Sequence, residues 1–356
     1  MTLNDISRIC GVSASTVSRV LNDQDTKAAS KETKERIWEV VRREGYVPNS
    51  YAQKLRLKKN ALKTVSSDEK KYFACVYARS QDKQDAFFSD LAASIEYEAY
   101  KRNYILKYSF YANNMIEKSF SDALGSKEIS GIVVLGRFEN ERINEIAEKK
   151  RNVVYVSLNP TTVKHDMVFC DGYRAAEMAM ETLFKFGHRE IAYIGETTRE
   201  NRYKAYQKSL SDHGIRINHR LTISTKQTLA SSYNAACELI KREEPFSAIF
   251  CANDETAIGT IKALQDNGFM VPEDISVISI DDIEMARYFT PMLTTVHIPI
   301  NELGKQAVKS LIDRIENGHT LPMKIELPFT LSLRDSCAPV SASAKKRINE
   351  KKDVKK

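Results

Sequence analysis

The feature of this sequence that most constrains its fold is an alternation of short apolar runs with amphipathic segments, from about residue 73 to residue 336. Runs such as Gly131–Leu135 (GIVVL) and Val277–Ile280 (VISI) are typical of strands buried on both faces, whereas Phe88–Arg102 has helical spacing. Strands that alternate with helices predict parallel α/β units, because a helix supplies the crossover that a parallel pair needs. About 270 residues are too many for one small sheet, so we predict an α/β core of two lobes, each a doubly wound parallel sheet.

The first sixty residues predict a separate, small helical domain. Thr2 precedes a helical pattern and Asp5 follows three positions later, an arrangement close to a capping box. Gly11 interrupts this helix, and we predict a second short helix from about Ala14 to Leu21 and a third from Lys31 to Glu44. Two short helices joined by a glycine-containing turn are typical of a helix-turn-helix. The exposed side chains of the second helix, small hydroxyls and an arginine, suit contact with base edges and phosphates.

The positive charge of the chain is concentrated at its two ends. Residues 1–63 carry 13 Lys and Arg against 7 Asp and Glu, and residues 337–356 carry 7 against 2. Because the formal net charge is +7, the remaining residues have a net charge of −4. A basic helical head joined to a slightly acidic core predicts a module that binds a polyanion. Residues 337–356 have almost no apolar side chains and are expected to form a disordered basic tail.

Several classes of protein are disfavoured by motifs that the sequence lacks. It has no run near the ~20 apolar residues that span a bilayer and no basic-then-apolar leader, so we expect no membrane association. Six scattered cysteines without a CxxC pair indicate reduced thiols and a cytoplasmic protein. No P-loop, GxSxG, HExxH or GxGxxG motif is present. We therefore expect no enzymatic activity, no cofactor and no bound metal.

The N-terminal segment TLNDISRICGVSASTVSRVLND, followed by ETKERIWEVVRREGYVPNSYAQKLR, closely resembles the DNA-binding head of the LacI/GalR family of bacterial transcription regulators. The match runs without a gap through GVSxxTVSRVLN, GYxPN and the AxxL pair. The resemblance implies a helix-turn-helix head with a hinge helix over residues 1–58. The hinge, at about 49–57, would become ordered when two copies meet over DNA, and a linker would follow at 59–71.

The same resemblance implies which residues contact DNA. Ala14 and Ser15 would begin the recognition helix in the major groove, and Arg19 would make much of the contact with base edges. Leu55 matches a hinge leucine that is driven into the minor groove, where it kinks the DNA by partial unstacking. The full implied set is Ser13, Ala14, Ser15, Thr16, Ser18, Arg19, Asn22, Asn49, Ala52 and Leu55.

Much of residues 87–336 is similar to the family's effector-binding core, which shares its fold with periplasmic sugar-binding proteins. The matching stretches include CDGYRAAEMAMETLFKFGHREIAYIG and VPEDISVISIDDIEMARYFTPMLTTVHIPI. The resemblance implies a core over residues 72–336. One lobe would comprise about 72–158 and 299–323, and the other about 163–297 and 326–336, with ligand held between them at the carboxyl ends of the strands.

Carried over position by position, the resemblance also implies the ligand contacts. Two aromatic residues would line the cleft on the first lobe, and an arginine, an asparagine and an aspartate would bind ligand hydroxyls from the second, with a serine at the crossing between lobes. These residues are Phe87, Phe88, Ser157, Arg202, Asn253 and Asp281. Ile298 and Gln227 differ from the residues that other members carry at these places, so the identity of the sugar does not carry over.

The implied function is that of a cytoplasmic homodimer that represses transcription from pseudo-palindromic operator DNA in response to a small sugar. FFxxLxxSIE and LSLRDS are nearest to galactose- or galactoside-responsive members, whereas ARYFTPxLTTxHxP is also similar to the purine-responsive branch. A purine-like corepressor, a phosphosugar or a protein effector stays open, as does a sugar-binding or enzymatic core with a DNA-binding head. We expect a dimer only, because residues 337–356 contain no leucine for a tetramerising heptad.

The implied role of Leu55 gives a first testable prediction. Leu55→Ala should weaken binding to operator DNA by about tenfold more than binding to random DNA, because unstacking by the wedge occurs only at the deformable centre of the operator. Mobility-shift titrations on both DNAs at one salt concentration measure the difference. Equal losses on the two DNAs would refute the wedge.

Overall fold

The computed structural model describes residues 2–21, 29–43, 70–78, 86–111, 118–162 and 164–340. Four of the implied DNA contacts, Asn22, Asn49, Ala52 and Leu55, lie outside the described residues, as do the hinge segment and most of the linker. No helix in the described part of the chain is long and apolar enough to cross a membrane.

The head consists of three helices, α1 (Leu3–Cys10), α2 (Ala14–Leu21) and α3 (Lys31–Arg43). Thr2 and Asp5 form the predicted capping box: the Thr2 side chain accepts from the Asp5 amide, and the Asp5 carboxylate accepts from the Thr2 amide at 2.9 Å. Gly11 ends α1 in the left-handed conformation at a φ of +62°. All three helices contribute to one small core, which contains Ile6, Cys10, Val17, Val20, Leu21, Ile37, Val40 and Val41. The predicted helix-turn-helix is confirmed.

The first lobe is built on a six-stranded parallel sheet. Its strands are β1 (Lys71–Tyr77), β2 (Tyr104–Tyr111), β3 (Ile129–Leu135), β4 (Val153–Ser157), β5 (Asp166–Phe169) and, much later in the chain, β11 (Lys324–Glu326). Their order across the sheet is β11-β5-β4-β3-β1-β2, with every pair parallel.

Helices cover both faces of this first sheet, as the doubly wound prediction requires. They are α4 (Ala86–Tyr100), α5 (Lys118–Gly125), α6 (Asn140–Lys149) and α11 (Ile300–Ile315). Along β1, Phe73 and Cys75 belong to the apolar cluster that includes α4 and α11, whereas Ala74 and Val76 belong to the cluster that includes α5 and α6. Successive residues of one strand therefore point into two cores on opposite faces.

The second lobe is built on another six-stranded sheet. Its strands are β6 (Ile191–Gly195), β7 (Thr222–Ser224), β8 (Ala248–Cys251), β9 (Ser276–Asp281), β10 (Thr294–His297) and β12 (Thr330–Ser332), in the order β12-β10-β9-β8-β6-β7. All pairs are parallel except β10 with β12. Its helices are α7 (Gly172–Lys185), α8 (Asn201–Asp212), α9 (Leu229–Lys241) and α10 (Asp254–Asp266).

The first crossing between lobes lies later in the chain than predicted. The expected start of the second lobe at about residue 163 is wrong, because β5 pairs with β4 in register from Val154↔Asp166 to Ser157↔Phe169. The chain leaves the first sheet only after Phe169. A strand of four residues has too little sequence to show which sheet it joins, since the choice depends on its pairing partner. The chain returns to the first lobe after His297 and leaves it again after β11.

The first four residues of the expected basic tail, 337–340, are packed against the second lobe. Cys337 is buried, and its thiol lies 3.1 Å from the Val277 carbonyl oxygen. The Ala338 amide donates to the Ser276 hydroxyl at 3.1 Å, and the Val340 amide donates to a carbonyl at 2.8 Å. Residues 337–340 are therefore part of the second lobe, and the rest of the expected tail lies outside the described residues.

A buried carboxylate joins three elements of the first lobe. Asp166, fully buried at the start of β5, accepts from Arg314 Nε at 2.7 Å, His319 Nε2 at 2.7 Å and the Met323 amide at 2.9 Å. Although burial alone would raise the pKa of Asp166, these donors and the charge of Arg314 lower it. Asp166 thus ties β5 to the end of α11 and to the segment that enters β11.

This arrangement predicts a large penalty for removing the charge of Asp166. Asp166→Asn should lower the free energy of unfolding by roughly 3 kcal/mol, because it leaves Arg314 in a buried position without its carboxylate. Urea unfolding at neutral pH measures the loss. The matched control is Asp313→Asn, which removes a half-exposed partner of His319 and should cost much less. Similar costs for both variants would contradict the argument.

Candidate functional site

The N-terminal turn of α2 presents a linked group of hydroxyl side chains. The Ser13 hydroxyl accepts from the Thr16 amide at 3.1 Å and lies 2.8 Å from the hydroxyls of both Ser15 and Thr16. Ser13 and Ser15 are exposed, and Ala14 between them is half-buried. The chain here therefore combines a helix start with small polar side chains, which allow close approach to a base edge or a phosphate.

Arg19 lies on the same exposed side of α2 as Ser15. Its Nε donates to the Ser15 carbonyl oxygen at 3.3 Å, and its guanidinium is exposed. Val17 and Val20 on the other side of the helix are buried in the head core. Of the residues predicted to contact DNA, the structure gathers Ser13, Ala14, Ser15, Thr16, Ser18 and Arg19 on this one short helix and its cap.

In the first lobe, the predicted cleft residues lie at the carboxyl ends of the strands. Ser157 ends β4, is buried, and its hydroxyl accepts from the Asn159 amide at 3.0 Å. Gly136 follows β3 at a φ of +100° and lies directly against the Phe88 ring, since a Cβ added at Gly136 would be 3.2 Å from that ring. Phe88 is half-buried over this strand end, whereas its neighbour Phe87 belongs to the buried core. Of these two predicted aromatic residues, Phe88 is therefore the one that is partly exposed at the strand end.

In the second lobe, the three polar residues of the prediction lie at the corresponding strand ends. Arg202, in the first turn of α8, is buried and donates from Nη1 to the Ala252 carbonyl oxygen at 2.7 Å. Asn253 comes directly after Ala252 and caps α10, where its Oδ1 accepts from the Thr256 amide and hydroxyl at 3.0 and 2.6 Å. Asp281 ends β9 and is buried. The structure thus brings Arg202, Asn253 and Asp281 to one edge of the second sheet.

Sequence reasoning missed Glu200, which controls the environment of Arg202. Glu200 is almost fully buried, and its two oxygens accept from Arg202 Nε at 2.9 Å and Nη2 at 3.0 Å. Although burial alone would raise the pKa of Glu200, the charge and hydrogen bonds of Arg202 lower it to about 2. The sequence signal for this ion pair is the spacing of Glu200 and Arg202 in RENR, but only the fold shows that both side chains are buried.

Ion pairs connect the two lobes beside these residues. From the first lobe, Arg137 Nη1 donates to Glu200 Oε2 at 2.8 Å, and its Nη2 donates to Glu196. Glu139 of the first lobe accepts from Arg199 of the second. Arg137 follows β3 and Glu196 follows β6, so the carboxyl edges of the two sheets face each other across these contacts. Phe88, Ser157, Arg202, Asn253 and Asp281 lie at or near these carboxyl edges, whereas Phe87 is buried in the core.

The turn after β9 has a strained backbone that a second buried carboxylate holds in place. Asp281 and Asp282 both have positive φ angles, of +130° and +58°. The Asp282 carboxylate accepts from His297 Nδ1 at 3.0 Å, the Ser332 hydroxyl at 3.0 Å and Arg334 Nη2 at 2.5 Å. Although burial alone would raise the pKa of Asp282, these partners hold it well below its usual range. These contacts of Asp282 offset the strain and hold Asp281 at the carboxyl edge of the sheet.

The described residues contain no group of three or more His, Cys, Asp or Glu side chains that could hold a metal ion. All six cysteines are free thiols, and five of them are buried. At the carboxyl edges of the two sheets, the polar groups described above are fixed hydrogen-bond donors and acceptors.

Comparison with known proteins gives one answer for both parts of the chain. Residues 2–49 match the family described as bacterial regulatory proteins, lacI family, and residues 180–337 match a periplasmic binding protein-like domain. The transcriptional repressor MelR of Bacillus subtilis is 28% identical over 347 residues, which cover 94% of this chain and 97% of MelR. The repressor PurR of Erwinia tasmaniensis is 30% identical over 346 residues, which cover 95% of this chain and 97% of PurR.

Solved structures agree with the architecture. A LacI family regulator from Enterococcus faecium with bound ribose matches at 26% identity and a TM-score of 0.66, covering 76% of this chain and 100% of that one. The lac repressor dimer bound to operator matches at a TM-score of 0.66, over 95% of this chain and 99% of that one. At 21% identity, the latter shows the fold alone.

The depressed pKa of Asp282 predicts how stability depends on pH. A carboxylate whose pKa is lower in the folded state than in the unfolded state stabilises the fold above the unfolded value of about 4, and this contribution disappears as the pH falls. The wild-type free energy of unfolding should therefore decrease from pH 4 towards pH 2, and Asp282→Asn should show a flatter curve. Denaturant unfolding across this range measures both.

The control for this prediction is Asp212→Asn, on the exposed Lys208–Asp212 pair of the same lobe. Its pH curve should run parallel to that of the wild type. A curve for Asp282→Asn that is also parallel to the wild type would show that Asp282 does not supply the acid-sensitive stability.

Proposed function

This chain belongs to the lacI family of bacterial regulatory proteins, and on that premise we propose that it is a homodimeric repressor controlled by a small sugar. The head binds pseudo-palindromic operator DNA, and a sugar of the galactose or galactoside type binds between the lobes of the core. The observation that carries the effector proposal is the convergence of Arg202, Asn253 and Asp281 at one sheet edge, opposite Phe88.

The chemistry of these groups suits a sugar. Sugar hydroxyls donate and accept hydrogen bonds, so a fixed arginine donor beside amide and carboxylate groups can hold adjacent hydroxyls. The C–H face of a pyranose ring packs on an aromatic surface such as that of Phe88. The ribose-bound relative from Enterococcus faecium supports a sugar in a core of this fold.

The head supplies the DNA contacts from α2. Ser13, Ser15 and Thr16 provide short hydroxyl donors at the start of the helix, and Arg19 provides a guanidinium that can fork onto guanine or a phosphate. Asn22, Asn49, Ala52 and Leu55 complete the proposed contacts on the basis of the sequence resemblance. Two heads in a dimer would read two half-sites, which accounts for a pseudo-palindromic operator.

The two sites communicate through the angle between the lobes. The head joins the core at β1 of the first lobe, whereas Arg202, Asn253 and Asp281 belong to the second lobe. A sugar that contacts both lobes favours one lobe angle, and that angle sets the spacing of the two heads in a dimer. Operator affinity then changes by the difference in sugar affinity between the two arrangements.

A purine-like corepressor is the second candidate. The specific feature that favours it is the run Ala286–Pro299, which is similar to the purine-responsive branch of the family. The cleft edge formed by Asn253 and Asp281 could also bind the polar edge of a base.

Thermal unfolding with a ligand panel tests the effector and separates the candidates. Galactose, galactosides, ribose and purine bases are added to the full-length chain, since ligand at 100 times its Kd adds about 2.7 kcal/mol of stability. Stabilisation by a galactose-type sugar, with weaker operator binding in its presence, would support the proposal. Stabilisation by a purine alone, with tighter operator binding, would favour the second candidate.

Two variants with opposite expected effects test whether the head binds DNA and the core binds the sugar. Arg19→Gln should weaken operator binding about tenfold or more, the value of one good base contact, and leave the sugar-induced shift unchanged. Phe88→Leu should weaken sugar binding by about threefold to tenfold and leave operator binding without sugar unchanged. Loss of DNA binding in Phe88→Leu, or of sugar binding in Arg19→Gln, would contradict the assignment of the two sites.

A further inference from the structure

The hydrogen bonds of Arg202 restrict what a ligand can receive from it. Nε and Nη2 donate to the two oxygens of Glu200, Nη2 also points to Gln227 Oε1 at 3.4 Å, and Nη1 donates to the Ala252 carbonyl oxygen. A guanidinium has five N–H groups. Partners within the described chain take four of them, so one N–H on Nη1 remains for a ligand.

Glu200 is fixed in this position from both lobes. The Arg202 amide donates to its Oε1 at 3.2 Å, and Arg137 donates to its Oε2 from the opposite lobe at 2.8 Å. The side chain of Glu200 is only 1% exposed, so water cannot replace these partners. The carboxylate therefore occupies the paired Nε–Nη2 edge of Arg202.

That edge is one of the two with which an arginine can bind an anion through paired donors, and on the other edge Nη1 and Nη2 already donate to Ala252 and Gln227. Carboxylates and phosphates bind arginine most strongly through two parallel N–H donors. The single remaining N–H of Arg202 lacks this geometry, and the charge of its guanidinium is already compensated by Glu200. Besides Glu200, two further carboxylates lie close to the arginines at this place. Glu196 forms an ion pair with Arg137, and the charge of Asp281 acts on Arg202. A phosphate, which at neutral pH mainly accepts hydrogen bonds, would meet three carboxylates here.

We propose that Glu200 is a specificity-determining residue that makes the cleft select uncharged, hydroxylated ligands and exclude phosphorylated ones. The inference rests on the proposed function, because Arg202 must face the effector. A hydroxyl group needs one donor and one acceptor, and the free Nη1–H of Arg202 and the Asp281 carboxylate supply them. Glu200 thus makes Arg202 selective for a neutral sugar, although Glu200 need not contact the sugar.

The test compares binding of galactose and galactose 6-phosphate to the full-length chain by calorimetry at constant ionic strength. The wild type should bind the free sugar at least tenfold more tightly. Glu200→Gln keeps the shape and one acceptor oxygen but removes the charge, so it should reduce this preference at least tenfold by binding the phosphosugar more tightly. Glu145→Gln, which removes an exposed carboxylate from Arg142, is the matched control and should keep the wild-type ratio.

Two results would overturn the proposal: a wild type that binds the phosphosugar as tightly as the sugar, or a folded Glu200→Gln with an unchanged ratio. If Glu200→Gln does not fold by circular dichroism, Arg137→Gln takes its place, since it removes a half-exposed cation and leaves Glu200 on Arg202. It should retain or increase the exclusion of phosphosugar, and improved phosphosugar binding would overturn the proposal.

Failure of the proposed function is distinguishable from failure of this inference. If no sugar binds in either form, the effector class is wrong, and inorganic phosphate then tests Glu200 directly. Glu200→Gln should bind phosphate at least tenfold more tightly than the wild type and Glu145→Gln. Equal phosphate binding by all three proteins would overturn the role of Glu200.

Discussion

Parallel strand pairing is the constraint on which the rest of this structure depends. A parallel sheet is buried on both faces and places the carboxyl ends of all its strands at one edge. In each lobe the proposed ligand-binding side chains therefore lie at or just after strand ends, as Ser157 does at the end of β4 and Asn253 after β8. Because the two edges face each other, residues that are far apart in the sequence border one cleft. The same constraint buries the central strands such as β4 and β9, so the polar groups at the cleft lie at strand ends or in the segments that follow them.

The two sides of the cleft are stabilised in different ways. The first lobe contributes the Phe88 ring and the Ser157 hydroxyl, whereas the second has buried carboxylates beneath its edge. Asp254 accepts from the Ser279 and Thr295 hydroxyls at 2.6 Å each, and Asp282 holds the strained turn from the other side. Both carboxylates are satisfied by neighbours on β9, β10 and β12, so the polar edge is organised before any ligand arrives. The cost of ordering these groups is therefore met during folding rather than during binding.

Local patterns in the sequence were sufficient for the head and for the class of the core. Thr2, Asp5 and Gly11 specify the start and end of α1 through interactions within a few residues, and alternating strands and helices specify parallel sheets. Choices that depend on distant partners could not be predicted in this way. The assignment of β5 to the first sheet depends on its register with β4, and the burial of Cys337 depends on a contact with β9.

The residues proposed to bind ligand show the same division. Arg202, Asn253 and Asp281 could be found from the resemblance, because their positions follow recognisable motifs. Glu200 could not, because its role depends on a side chain from the other lobe, Arg137, which is more than sixty residues earlier in the chain. Which charges compensate each other inside a cleft depends on the side chains that are close in space, and these can be distant in the sequence. The sequence shows only that acids and arginines alternate there.

The attachment of Cys337, Ala338 and Val340 has a consequence for the basic residues that follow. Ala338 and Val340 are bonded to Ser276 at the start of β9 and to Phe186 at the end of α7, which is the amino edge of the second sheet. The head is joined to the amino edge of the first sheet, before β1. The two basic segments are therefore attached to different lobes, the N-terminal one before the amino edge of the first sheet and the C-terminal one at the amino edge of the second.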